Sequence, residues 1–102
     1  MTNKSQDEIQ NIEPIEFDLG VIVVTRGVDA FLDGNHLPLV IPLKQHKKGD
    51  WGLCYEEDAI LNNFATHNGD QILSVYEIND ERIWIVTEWD RSVTTILFPN
   101  EY

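Results

Sequence analysis

Apolar residues in this chain come in short runs of two periods, and the periods assign the elements. Leu19 to Thr25 (LGVIVVT) is rich in Val and Ile, follows acids and ends at Arg26-Gly27. Its length and composition predict a buried strand. In the next stretch Val28, Phe31 and Leu32 recur at helical spacing and Gly34 stops the turn, which predicts one or two helical turns. Pro38 and Pro42 exclude a long helix, yet Pro42 suits a first turn, so residues 42–48 read as helical. Glu56 to His67 is the clearest helix. Ala59, Ile60, Asn63, Phe64 and His67 form its stripe, the acids at 56–58 suit its positive N-terminus, and Asn68-Gly69 ends it. Three strand-length runs follow at 72–78, 82–88 and 92–99, separated by Asn79-Asp80-Glu81 and Trp89-Asp90-Arg91. That order predicts a small α+β single domain. Its expected sheet is antiparallel, a C-terminal three-strand meander plus the N-terminal strand, with two or three short helices on one face. A free strand edge in the meander would permit a homo-oligomer.

Residues 1–18 break the pattern. They carry five acids against one Lys and only scattered apolar residues, and read as a mobile acidic N-terminal arm ahead of a single domain at 19–102. The apolar fraction of 42 % across 102 residues supplies one hydrophobic core. The net charge of −11 changes the functional picture. It argues against direct DNA binding, which needs a surplus of Lys and Arg, and against an anionic membrane surface. A single cysteine excludes an internal disulfide, and no apolar run approaches the ~18 residues of a membrane span. The expectation is a soluble cytoplasmic protein.

Few residues offer chemistry. Lys44, His46, Lys47 and Lys48 invert the local field, and an imidazole there suits general acid–base work. The plainer reading is a helix end whose cations complement its dipole. Asp50 lies in Gly-Asp-Trp-Gly, a compact turn anchored by Trp51, and is read first as structural. His67 reads as a half-buried histidine near a helix end, His36 carries no signal, and Cys54 reads as a small core residue. No metal-ligand spacing and no phosphate-cradling loop appears, so neither a metal nor another cofactor is expected. The segment Thr87-Glu88-Trp89-Asp90-Arg91-Ser92 is dense in polar groups. It reads either as a salt-bridged turn or, with Thr94 and Thr95, as a phosphate site. Trp84 sits within an apolar strand and reads as core, whereas Trp89 sits in the turn and reads as an exposed interface anchor.

From Leu19 to Tyr102 the chain resembles a family of small plasmid-related proteins of bacterial mobile elements. The resemblance rests on Leu-Gly-x-x-Val-x-Thr, on His-x-x-Gly-Asp-Trp-Gly, and on a closing Ile-Trp-x-x-Thr-Glu-x-Asp-Arg-Ser-x-Thr-Thr-x-Leu-x-Pro-x-Glu-Tyr. His46, Gly49, Asp50, Trp51, Gly52, Asn62, Thr87, Glu88, Asp90, Arg91, Ser92, Thr94 and Thr95 fall on that pattern, and the segment from Asp33 to Gln45 departs from it. The resemblance implies no established activity. Two function classes remain. The first is a protein-binding accessory protein of a mobile element that counteracts a host defence enzyme by charge mimicry of nucleic acid. Its expected contacts are Trp89, Asp90 and Glu88, the helix start Glu56, Glu57 and Asp58, and Asp50. The second is a small ribonuclease-like enzyme with His46 as general base, Arg91 as phosphate stabiliser and Thr95 beside them.

Overall fold

The computed structural model describes residues 11–102. Strand β1 (Val21–Val24) leads into helix α1 (Arg26–Phe31), then a 3-10 turn (Leu37–Leu39) and helix α2 (Val40–Lys48). Helix α3 (Glu56–Asn68) precedes strands β2 (Ile72–Ile78), β3 (Glu81–Thr87) and β4 (Val93–Leu97), and a last 3-10 turn covers Pro99–Glu101. Local chemistry accounts for most boundaries. The Thr25 hydroxyl oxygen caps α1 by accepting from the Val28 N–H, Pro42 lies in the first turn of α2, and Lys47 and Lys48 lie in its last. Asn79 and Asp80 both take left-handed backbone angles, as a two-residue hairpin requires.

The sheet order is β1-β4-β3-β2. The β2–β3 and β3–β4 pairs are antiparallel as expected, but β1 runs parallel to β4, so the sheet is mixed. A parallel neighbour requires a long crossover. Here the helices and the first two meander strands together form that connection. Gly20 permits the entry into β1: at φ 65° it lies where a Cβ would fall 2.3 Å from the Ser92 carbonyl oxygen.

Helices cover one face of the sheet. Register and alternation turn Ile72, Ser74, Tyr76 and Ile78 of β2 to that face, with Ile83, Ile85 and Thr87 of β3 and Thr94 and Ile96 of β4. Val28, Leu32 and Leu39 pack with Tyr76, Ile78, Ile83, Ile85 and Ile96, while Phe17, Trp51, Ala65 and Ile72 form a second cluster. Helix α3 buries Asn62, Ala65 and Thr66, and the expected stripe is only half-buried or, at His67, exposed.

Two boundaries differ from expectation. The described part of the acidic segment lies against the domain. Phe17 is buried, the Ile15 N–H donates to Thr66 Oγ1 at 3.1 Å, His67 Nε2 meets the Glu13 carbonyl at 2.7 Å, and Lys47 Nζ donates to the Phe17 carbonyl. Residues 1–10 of the expected arm lie outside the described residues. Strand β1, expected to be buried, is an exposed edge: Val21, Ile22 and Val23 are 66, 46 and 42 % exposed.

The meander edge, which would permit a homo-oligomer if free, is covered at Leu73 and Val75. The Asn62 side chain donates to the Leu73 carbonyl at 2.7 Å and accepts from the Leu73 N–H at 3.3 Å, pairing β2 as a neighbouring strand would. Two residues on, the Leu53 N–H donates to the Val75 carbonyl and the Val75 N–H to the Trp51 carbonyl. Only glycine fits between them, because a Cβ on Gly52 would lie 2.1 Å from the Val75 oxygen. Asn62→Ala strips both bonds from Leu73, and a cost of about 1–3 kcal/mol is expected as a lower urea midpoint with an unchanged slope. An unchanged midpoint would show that water serves this edge equally well.

Candidate functional site

His46 projects from α2 into the sheet and is fully buried. Its Nδ1 contacts Ser74 Oγ and its Nε2 lies 2.8 Å from Thr87 Oγ1. Thr87 Oγ1 is 2.7 Å from Thr94 Oγ1, and Thr94 donates to the Leu19 carbonyl at 2.6 Å. That carbonyl fixes the direction of the protons back to Nε2 of His46. A carbonyl can only accept, so the one hydroxyl proton of Thr94 goes to Leu19. Thr94 then accepts from Thr87, and Thr87 accepts from Nε2–H of His46. Burial keeps the ring neutral, so Nδ1 carries no proton and accepts from Ser74: the imidazole is the Nε2–H tautomer. Phe17 and Trp51 meet it in T-shaped contacts at 5.3 and 5.9 Å. Burial, with the charge of Arg91 as a lesser cause, lowers its pKa to about 3.

Arg91 has a left-handed backbone, with φ at 61°. Its guanidinium closes three carbonyls: Nη1 donates to Asp70 at 2.6 Å and Glu88 at 3.0 Å, and Nη2 to Ala65 at 2.8 Å. Ala65 lies in the last turn of α3, where a cation complements free carbonyls. The guanidinium also lies 5.4 Å from the Phe17 ring centroid. His46 and Arg91 thus share Phe17 as a neighbour. Thr95 faces the other side of the sheet, level with Val23 and Val86. The three residues of the ribonuclease-like reading do not converge on an accessible point.

The expected binding residues fall on separate surfaces. Trp89 is 67 % exposed, and Asp90 beside it accepts from the Ser92 N–H and hydroxyl, which hold its carboxyl below the usual range. Glu88 is half-buried and accepts from Gln71 Nε2. This turn adjoins the C-terminal end of α3, whereas Glu56, Glu57 and Asp58 form its first turn. The helix is thirteen residues long, which sets its two ends roughly 18 Å apart. Asp50 is a turn residue: its carboxylate accepts from the Gly52 N–H and Gln45 Nε2, and its carbonyl from the Tyr76 hydroxyl. The basic cluster loses His46 to the interior, and Lys47 reaches Glu16 at 3.6 Å. Among the described residues, no group of three or more His, Cys, Asp or Glu is placed to hold a metal.

The second sheet face holds a groove that the sequence reading missed. It has a volume of about 680 Å³; Leu73, Val75 and Trp84 line it together with Leu53, Tyr55 and Leu61. Leu53, Tyr55 and Leu61 are 48, 79 and 62 % exposed. Asp58 and Arg82 contribute opposite charges to the lining. Trp84, expected in the core, is half-buried on this face, where the Tyr102 ring meets it at 5.5 Å. Cys54 also borders the groove, donating its thiol to the Leu73 carbonyl, and burial pushes the thiol pKa up. The available signal was in β2 and β3. Ile72-Leu73, Ile83-Trp84 and Ile85-Val86 are apolar on both faces, while the predicted helices cover one.

Comparison with protein-family models, with curated proteins and with solved structures finds no match for this chain.

The His46 arrangement carries a pH signature. A histidine of pKa 6.5 when unfolded and about 3 when folded binds its proton in the unfolded state first. Its contribution is therefore complete above pH 6.5 and is lost as pH falls toward 3. Between pH 7 and 5 the protein is expected to lose about 2 kcal/mol through this residue. Urea unfolding at both pH values checks this: His46→Gln, though less stable at pH 7, flattens the dependence. Equal slopes in the two proteins would refute the locked neutral imidazole.

Proposed function

We propose that this protein is a protein-binding module whose contact is the groove on the face that no helix covers. The carrying observation is the concentration of exposed Leu53, Tyr55 and Leu61 around a floor of Leu73, Val75 and Trp84. Apolar side chains gathered at one concavity and rimmed by charge suit an anchor residue of a partner. The exposed acids Glu56, Glu57 and Asp58 start the helix that forms one bank, so the expected partner presents an apolar side chain flanked by Lys or Arg. The chain's −11 charge supports long-range attraction to such a basic surface.

The finer reading rests on the same charge and on the resemblance to mobile-element proteins. On that reading the partner is a host defence enzyme, and the carboxylates occupy a groove built for phosphates. The ribonuclease-like alternative has weaker support, because its base would be a sealed imidazole with a pKa of about 3.

Capture from a bacterial lysate tests the proposal with matched variants. Leu61→Glu places a charge at an exposed position of the groove, and Val40→Glu places one at an exposed position of α2 on the helical side. Capture by Leu61→Glu is expected to fall by roughly tenfold or more while Val40→Glu matches the parent. Equal capture by all three would remove the groove from the contact. Displacement of the captured protein by duplex DNA would support the mimicry reading, and resistance to both DNA and salt would point to apolar recognition alone.

A further inference from the structure

Residues 13–17 lie on the body of the protein as a bound peptide would, and the body reads them one by one. They form neither helix nor strand, and among the described residues no backbone–backbone hydrogen bond ties them to the body. Side chains from the last turns of α2 and α3 hold them instead. His67 Nε2 donates to the Glu13 carbonyl at 2.7 Å. Thr66 gives its hydroxyl proton to the Asn63 carbonyl, which leaves Oγ1 to accept from the Ile15 N–H at 3.1 Å. Lys47 Nζ donates to the Phe17 carbonyl at 3.1 Å and lies 3.6 Å from the Glu16 carboxylate. The main chain is thus met at 13, 15 and 17, the alternation of an extended ligand.

Two side chains are read as well. Gly49, left-handed at φ 88°, leaves bare backbone under Pro14: a Cβ there would fall 2.4 Å from the proline Cγ. Phe17 is the anchor. Trp51 stacks on it at 6.2 Å, His46 meets it edge-on at 5.3 Å, and the Arg91 guanidinium lies 5.4 Å from its centroid. Glu13 and Ile15 are exposed and are met through their backbone. We propose that this surface is a peptide-recognition site, occupied in cis by residues 13–17, and that a partner segment of the pattern Pro-x-acid-Phe displaces them. The acid faces the basic cluster of α2, where Lys44 stands one turn before Lys47 and Lys48 follows it. Fastening by side chains suits displacement, because each bond that the cis segment gives up is one that the incoming segment remakes. Of residues 13–17, Phe17 alone is buried. The site lies on the helical side of the sheet, so it is distinct from the groove on the opposite face.

Calorimetry on the full chain with a synthetic peptide of residues 11–18 tests the proposal. Glu16→Ala with Phe17→Ala removes the two side chains by which the cis segment is gripped and leaves every group of the site in place. Tethering gives the cis segment an effective concentration on the order of millimolar, so the parent competes with added peptide. The double variant is therefore expected to bind the peptide more tightly than the parent by roughly tenfold or more. A similar loss, roughly tenfold or more, is expected when the peptide carries Phe17→Ala or when the protein also carries Lys47→Glu. Circular dichroism checks that each variant keeps its fold. Amide exchange in the parent needs no variant: the Ile15 N–H is expected to exchange roughly tenfold or more faster than the β3 amides, because the segment leaves while the sheet stays closed. A folded double variant that takes up no peptide at millimolar concentration would overturn the proposal. So would binding indifferent to the peptide's Phe, or Ile15 protection equal to that of β3.

Discussion

The fold is organised around one hydrogen-bond chain that ends on a backbone carbonyl. It starts at the Ser74 hydroxyl and passes through His46, Thr87 and Thr94 to Leu19. It links α2 to three strands and to the segment entering β1. The last acceptor has no proton, which sets the direction back to His46 Nε2, and the neutrality of the buried ring sets the Ser74 end. Buried polar groups destabilise a core when a partner is missing. Among the described residues, every buried side-chain nitrogen and oxygen has one. The aromatic contacts of Phe17 and Trp51 keep the imidazole dry, and dryness keeps it neutral. Arg91 serves the same region differently, closing carbonyls of α3 and of its own turn while lying over Phe17. The residues that carried the family resemblance, His46, Asn62, Thr87, Arg91 and Thr94 among them, are thus mostly framework.

This framework leaves the two sheet faces unequal. Helices cover the inner face, while the outer face carries the C-terminal tail, with Tyr102 against Trp84 and its hydroxyl on Gln71, and is banked at the β2 edge by Leu53, Tyr55 and Leu61. Glu101 fastens that tail by accepting from the Thr25 hydroxyl and the Phe98 N–H, both at 2.8 Å. The acids at the start of α3 reach this face, but those of the Trp89 turn lie at the other end of the helix. Exposed apolar side chains and charges of both signs meet in the groove, beside Asp58, Arg82 and Tyr55.

Much of this was legible in the sequence because local pattern determines it. The run at 72–78 forms β2 with those bounds, and the acids, Asn68 and Gly69 mark α3 closely. The remainder depended on distant partners. Parallel pairing of Val21–Val24 with β4 leaves no trace in either strand's own alternation, which reports burial and not direction. Phe17 looked unattached among acids because its neighbours, Trp51, His46 and Arg91, come from three other segments. His46 could be placed on a helix, but its chemistry depended on whether hydroxyls from two distant strands would meet its ring nitrogens. Composition does not encode that.

The closed edge of β2 has a consequence for what the chain can build. A sheet with two open edges can stack head to tail without limit, and that geometry produces fibres. Here Asn62 and the Trp51–Leu53 backbone occupy one edge. Edge pairing between copies must then use the same strand on both sides. That contact is isologous, exhausts itself at two chains and cannot propagate. One amide side chain and one glycine turn thereby convert an aggregation hazard into a stoichiometric limit.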